Sequence, residues 1–281
     1  MRHVIGLLLC AALLGCSTPA AGPRGWESAL RGNAVVMLGE VHDNPEQHRL
    51  RLDVLRRALA AGWRPAIVME QFDIERQADI ERARREQPQD PQHVIELAAP
   101  RAQASAAGGW NWDFYRPYVA LALQYNLPLR AANLSRADAE KVVSSGYSAV
   151  FDSARLGELK LDRPIPASWQ RSQEAEIDTG HCHALPATLL PAMARAQLAR
   201  DAVMAQVVSE HAAQGVVLLA GDGHVRRDLG VPRWLEDALR KRLFTVGYLE
   251  RGDTAQPGAY DRIVYTAPAA RTPPCEHLLQ R

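Results

Sequence analysis

The run Val35-Val36-Met37-Leu38-Gly39-Glu40-Val41-His42-Asp43-Asn44-Pro45 constrains this chain more than any other stretch. Four apolar residues, two of them β-branched, form a buried strand that stops abruptly at Gly39, Glu40 and His42. Asn44 then caps a helix and Pro45 suits its first position. Leu52, Leu55 and Leu59 draw its buried stripe as far as Gly62. His48 lies four residues before Leu52, one turn inside the helix on the same inward face. Strand, polar turn and helix in that order belong to a parallel sheet that gathers ligands at its carboxyl end.

The same grammar recurs along the chain. Ala66–Asp73 is a second apolar strand ending in acids, with Glu70 in the topological place of Glu40. Leu127–Asn133 reads as a third, and Val216–Ala220 as the clearest later one, running into Gly221-Asp222-Gly223-His224. Leu243–Leu249 and Arg262–Thr266 supply two more. Between them lie stretches that Pro88, Pro91 and Pro100, then Pro164, Pro166, Pro186 and Pro191, break into short helices. A long helix pattern runs from Met193 to His211, a helix continues from Tyr118 to Tyr125, and Pro232 opens another. The expected architecture is α/β: a mostly parallel β-sheet flanked by helices, with a smaller inserted helical subdomain. It occupies 26–281, with helical insertions at about 74–126 and 135–211.

The N-terminus stands apart from the fold. A short basic head, an apolar run from Val4 to Leu14 and then Leu13-Leu14-Gly15-Cys16 resemble a bacterial lipobox. Residues 1–15 are expected to be a signal peptide, Cys16 the acylated first residue, and 16–25 a flexible tether. Ser17 after the cysteine resembles an outer-membrane destination, on the periplasmic side. Without residues 1–15 the chain carries 32 basic and 32 acidic side chains, so no electrostatic footprint for nucleic acid exists. Of the 33 basic residues, 30 are Arg, which base composition of the genome explains more cheaply than anion recognition. Cys182 and Cys275 remain as an even pair, expected to form a disulfide in an oxidising compartment rather than a metal site with His181 and His183.

Two strand exits match: Gly39-Glu40-x-His42 and Gly221-Asp222-x-His224. Each glycine is expected to allow a tight exit with positive φ, leaving an acid and a histidine at the carboxyl edge of the sheet. Glu70, Asp73 and Asn133 end other strands and join the same cleft if those strands are neighbours. Such a set could bind metal, perform acid-base chemistry or hold an anionic cofactor. Neither exit is a dinucleotide fingerprint, and the chain has no Walker-A run, His-Glu-x-x-His or Gly-x-Ser-x-Gly. Trp110, Trp112, Phe114, Tyr115 and Tyr118 form the densest aromatic patch. It serves either as core at the seam of sheet and insertion or as a flat wall for a large planar ligand.

The lipobox, Leu38-Gly39-Glu40-Val41-His42-Asp43-Asn44, Val68-Met69-Glu70-Gln71-Phe72-Asp73, and Gly221-Asp222-Gly223-His224-Val225-Arg226 followed by Gly230-Val231-Pro232 together resemble the ChaN-like haem-binding lipoproteins. Their wider clan includes Tiki-type proteases and erythromycin esterases. The resemblance covers nearly the whole mature chain, including the helix around Asp201-Ala202-Val203-Met204-Ala205. It implies haem as ligand, iron acquisition as role, and a homodimer assembled around haem. Glu40, His42, Glu70 and His224 match the clan's shared polar site, while Asp222 stands where many relatives are expected to have Asn. His48, Tyr115 and Tyr118 complete the candidate haem-binding set, although neither tyrosine falls in a motif that matches an iron ligand. The rival is a metal-dependent hydrolase of the same clan using Glu40, His42, Glu70 and His224; a third reading is a scaffold with a vestigial cleft.

Overall fold

A computed structural model describes residues 26–99, 109–271 and Cys275. The expected signal peptide, Cys16 and the tether lie outside the described residues. Six strands form one sheet: β1 (Val35–Glu40), β2 (Ala66–Asp73), β3 (Leu129–Asn133), β4 (Val216–Gly221), β5 (Leu243–Glu250) and β6 (Arg262–Thr266). They run in the order β3-β2-β4-β1-β5-β6, and every neighbouring pair is parallel. Both faces of the central strands are covered, which is why β1 and β4 read as apolar runs up to their polar exits, while the edge strand β6 is largely exposed. Val35 and Met37 of β1 pack into one core, Val36 and Leu38 into the other, and Leu218 and Leu219 of β4 divide the same way.

The described residues form ten α-helices: α1 (Glu27–Gly32), α2 (Pro45–Ala60), α3 (Gln77–Glu86), α4 (Pro91–Ala98), α5 (Trp112–Gln124), α6 (Arg136–Ser145), α7 (Ser153–Glu158), α8 (Ala167–Gly180), α9 (Leu190–His211) and α10 (Asp237–Arg240). Val54 of α2, Ile80 of α3, Val94 of α4 and Tyr115 of α5 cover one face of the sheet. Val142 of α6, Trp169 of α8 and Leu198 of α9 cover the other. The two long helical stretches are thus the β2-to-β3 and β3-to-β4 crossovers, one on each face. The second crossover returns the chain between β1 and β2, so the carboxyl ends of β1, β4 and β2 lie side by side. Glu40 is in register with Gly221. That juxtaposition builds a crevice at the carboxyl edge.

Local chemistry accounts for the helix starts. The Asn44 side chain accepts from the backbone N–H groups of Glu46 (3.1 Å) and Gln47 (3.2 Å), with Pro45 in the first turn. α5 begins at Trp112, six residues before the helix expected from Tyr118, because Asn111 caps it through the Asp113 N–H (3.2 Å). Pro117, the sixth residue of α5, forgoes the intrahelical hydrogen bond to the Asp113 carbonyl. The segment at Pro232 is a single 3₁₀ turn, Val231–Trp234, not a full helix.

Cys182 and Cys275 are joined, spanning 93 residues. Closing a loop of that length constrains the unfolded chain and so favours the folded one. The flanking imidazoles are engaged locally, His181 with the Ile177 carbonyl (2.7 Å) and His183 with Asp178 (2.7 Å). The tail ahead of the disulfide returns to the sheet edge. Asn44 donates to the Ala267 carbonyl (2.9 Å), and Arg271 binds both Asp43 (2.9 Å) and Glu250 (2.8 Å).

Candidate functional site

Glu40 ends β1 in full burial, and four side chains close on its two oxygens. Arg51, one turn after His48 on α2, places Nη2 at 2.6 Å from Oε2, with both side chains inaccessible to solvent. The rest of its guanidinium donates to the carbonyls of Leu38 (3.0 Å) and Ala220 (3.4 Å) and to the Tyr118 hydroxyl (3.2 Å). His48 Nε2 lies 3.0 Å from Oε2 and 2.9 Å from the His42 carbonyl, two acceptors that assign its proton to Nε2. Tyr115 donates to Oε1 at 2.7 Å, and His42 Nδ1 stands 3.1 Å from the same oxygen. Burial alone would raise the Glu40 pKa; the Arg51 charge and the His42 and His48 hydrogen bonds override it and hold the carboxyl far below its usual range.

A second buried chain begins at Glu70. Its Oε2 accepts the Gly221 N–H (2.7 Å), and its Oε1 lies 3.5 Å from His224 Nε2. His224 Nδ1 contacts Asp201 on α9 at 2.6 Å, and Gln173 donates to that acid at 3.3 Å. Burial opposes charge on His224, yet Glu70 and Asp201 outweigh it and push its pKa up to about 10. Glu70 is held at about 2, burial being overcome chiefly by His224. Burial pushes Asp201 upward despite His224 beside it.

His42 stands between the two chains. A Cβ added at Gly221 would lie 2.9 Å from His42 Cε1 and 3.7 Å from a Glu70 oxygen; at Gly39 it would lie 2.4 Å from a Val225 methyl. Both motif glycines therefore serve close approach. Neither has the expected positive φ, Gly221 having −59°. Burial opposes a charge on His42, but the Glu40 hydrogen bond and the field of Glu70 raise its pKa. The ring is 48% exposed, so solvent damps that effect.

His42 opens onto a recess of about 600 Å³ lined also by Glu70, Trp110, Arg136, Arg200 and Arg271. The Trp110 ring meets His42 edge-on at 4.7 Å. The aromatic patch is thus divided: Trp110 faces the recess, while Tyr115 and Tyr118 are fully buried. Tyr118 gives its proton to the His48 carbonyl (2.9 Å), and burial pushes its pKa up to about 12. Burial and Glu40 raise Tyr115 still further. Both hydroxyls of this candidate pair are therefore engaged beneath the sheet edge, Tyr115 with Glu40 and Tyr118 with the His48 carbonyl, and neither residue lines the recess. His48, stacked on Phe114 at 4.5 Å, also supports the floor and does not line the recess. Asp222 lines a neighbouring cavity of about 440 Å³ with Arg226 and Tyr260, and burial raises its pKa to about 6.

A protein-family model described as "Haem-binding uptake, Tiki superfamily, ChaN" matches residues 27–235. The chain belongs to this family. Among solved structures, cofacial haem binding to ChaN of Campylobacter jejuni aligns with 18% identity over 84% of this chain and 89% of that one, at a TM-score of 0.66. That likeness concerns the fold. Looser ones join a succinoglycan biosynthesis protein (12% identity, 83% and 70% covered, TM-score 0.42) and an erythromycin esterase in its open conformation (13%, 79% and 71%, TM-score 0.41). No curated protein matches the chain in sequence.

Haem requires an apolar wall, a ligand near iron and partners for its propionates. The recess of this ChaN-family chain holds Trp110, the His42 imidazole and three arginines, so its donor set fits the group. Arg51, Arg200 and Gln197, which stands 3.1 Å from His224 Nε2, were missed in the sequence, and Asp201 was noted only as part of its helix. A polar residue on an otherwise apolar helix face was their only local signal.

Removing Arg51 alone strands a buried carboxylate, so Arg51→Met should cost about 3–5 kcal/mol in denaturant unfolding. Adding Glu40→Gln should restore part of that; equal losses in single and double variants would refute the ion-pair account. His224 gains protons on folding, so its contribution is complete below its ordinary pKa of 6.5 and fades as pH rises to about 10. The stability difference between wild type and His224→Gln should accordingly shrink over that window. A flat difference would show that His224 is neutral in the fold.

Proposed function

We propose that the chain binds haem in the recess at the carboxyl ends of β1, β2 and β4, in the service of haem or iron uptake. The observation that carries this is one recess joining Trp110, a half-exposed His42 and three arginines in a chain of the haem-binding uptake family. Trp110 is the flat apolar wall. His42, fixed through Nδ1 by Glu40, orients the ligand; a ring held by a carboxylate at one nitrogen leaves the other for a partner. Bound haem supplies the iron; the chain positions the macrocycle and shields one side.

The metal-dependent hydrolase is less well supported. Glu40 is surrounded by Arg51, Tyr115, His42 and His48, and Glu70 by His224 and the Gly221 N–H. Among the described residues no group of three or more His, Cys, Asp or Glu is arranged to hold a metal ion. These carboxylates serve as a rigid floor.

Haemin added to the purified chain should produce a saturable Soret shift and raise the melting temperature by mass action. His42→Ala should weaken retention roughly tenfold while the protein stays folded, the loss of about one good polar contact. Stoichiometric Zn²⁺ or Mn²⁺ with only non-saturating haemin binding would reverse the assignment.

The reading extends to location and assembly. Leu13-Leu14-Gly15-Cys16 supports acylation at Cys16 and an outer-membrane anchor facing the periplasm. A homodimer assembled around haem is part of the same reading, with the half-exposed His42 at the open side of the recess. Cys16→Ala should leave the membrane fraction, and haemin should increase the mass in solution. Normal membrane retention, or an unchanged mass at haem saturation, would remove the corresponding part.

A further inference from the structure

We propose that Arg200 and Arg136 form a carboxylate-binding subsite that recognises the two acid arms of a tetrapyrrole. The inference rests on the haem reading and names the part of the ligand the chain distinguishes. Two recesses meet at these residues: the one beside His42, and a second of about 430 Å³ lined by Val143, Ile177, Met193 and Ala196. Arg136 and Arg200 line both, so they form the seam between an aromatic wall and an apolar one.

The three arginines of the recess differ in how they are engaged. Arg271 is tied to Asp43 and Glu250, which fasten the C-terminal tail. Arg136 pairs only with Glu140, four residues along its own helix at 2.9 Å, with the side chains 72% and 66% exposed. Such a pair is weak and readily exchanged. Arg200 has no carboxylate within ion-pair distance among the described residues. Its Nη1 donates to the neutral Asn133 carbonyl oxygen at 3.2 Å, and Asn133 donates onward to Asp73 at 3.0 Å. Asp73 thus reaches Arg200 only through the intervening Asn133 amide, not by direct contact. Of the two acids on the wall, Asp43 pairs with Arg271, and Glu70 is matched by His224 and the Gly221 N–H. Two guanidinium forks therefore face shared space with no buried acid matched to them. Guanidinium pairs best with a planar carboxylate. With the macrocycle against Trp110, acid arms reaching the seam would meet both.

The test titrates the full chain with haemin, iron-free protoporphyrin IX and haemin dimethyl ester, whose arms are uncharged. Arg200→Gln with Arg136→Gln should weaken haemin and protoporphyrin by roughly ten- to a hundredfold, the worth of charge-assisted hydrogen bonds. It should leave the ester's affinity unchanged. Arg200→Lys, keeping charge without the fork, should lie between and serves if the double variant melts early. Equal losses for acid and ester, or no loss for either, overturn the subsite while leaving haem binding intact. Saturable binding of none of the three ligands by wild type sinks both the subsite and the haem reading.

Discussion

The contact between Glu40 and Arg51, 2.6 Å apart and closed to solvent, is the constraint on which the rest of the site depends. Neither charge is stable in an apolar interior alone, and the pair is supported by further polar contacts around it. These contacts draw in β1 through the Leu38 carbonyl, β4 through Ala220, and α5 through Tyr115 and Tyr118. The orientation of His42 follows, because its Nδ1 shares the Glu40 oxygen that Tyr115 already binds. A buried ion pair of this kind fixes one arrangement of strand, helix and ligand-facing ring at the expense of desolvation. The Gly39-Glu40-x-His42 exit is thus the visible end of a network whose anchor lies eleven residues downstream.

The two similar exits acquire different roles from their surroundings. After β1, His42 remains half exposed with Trp110 edge-on to its ring. After β4, His224 is buried beneath α9, where Asp201 and Glu70 hold it charged. Local sequence is alike in the two places, while the crossover helix differs. One exit opens onto the recess and the other is buried beneath it.

This distinction explains what was legible in the chain. All six strands could be read from the sequence: β1, β2, β4 and β5 as apolar runs buried on both faces, and the more exposed edge strand β6 from its β-branched and aromatic residues. The α2 cap was visible in Asn44-Pro45, and the cysteine pair in its even count. Strand order was not legible: the return of β4 between β1 and β2 is set by long crossovers, and it alone unites Glu40, Gly221 and Glu70. Arg51 was hidden among 30 arginines, and only three-dimensional packing separates it from its exposed neighbour Arg49. The placement of Tyr115 and Tyr118 was open for a related reason. Helical spacing cannot say whether a phenol points over the sheet or into a recess, and here both point over the sheet.

A carrier of a flat, rigid ligand needs a recess that keeps its shape when empty, since closing apolar walls on one another would release the same free energy as closing them on ligand. Aliphatic packing beneath such a recess can rearrange at modest cost. A floor of interlocked charges cannot, because each displacement leaves a buried donor or acceptor without a partner. Glu40 with Arg51, and Glu70 with His224 and Asp201, supply that stiffness on the two sides of His42. Carboxylates and histidines arranged as an enzyme would need them therefore have a sufficient physical purpose in a binding protein, which is to hold open a surface that the hydrophobic effect would otherwise close.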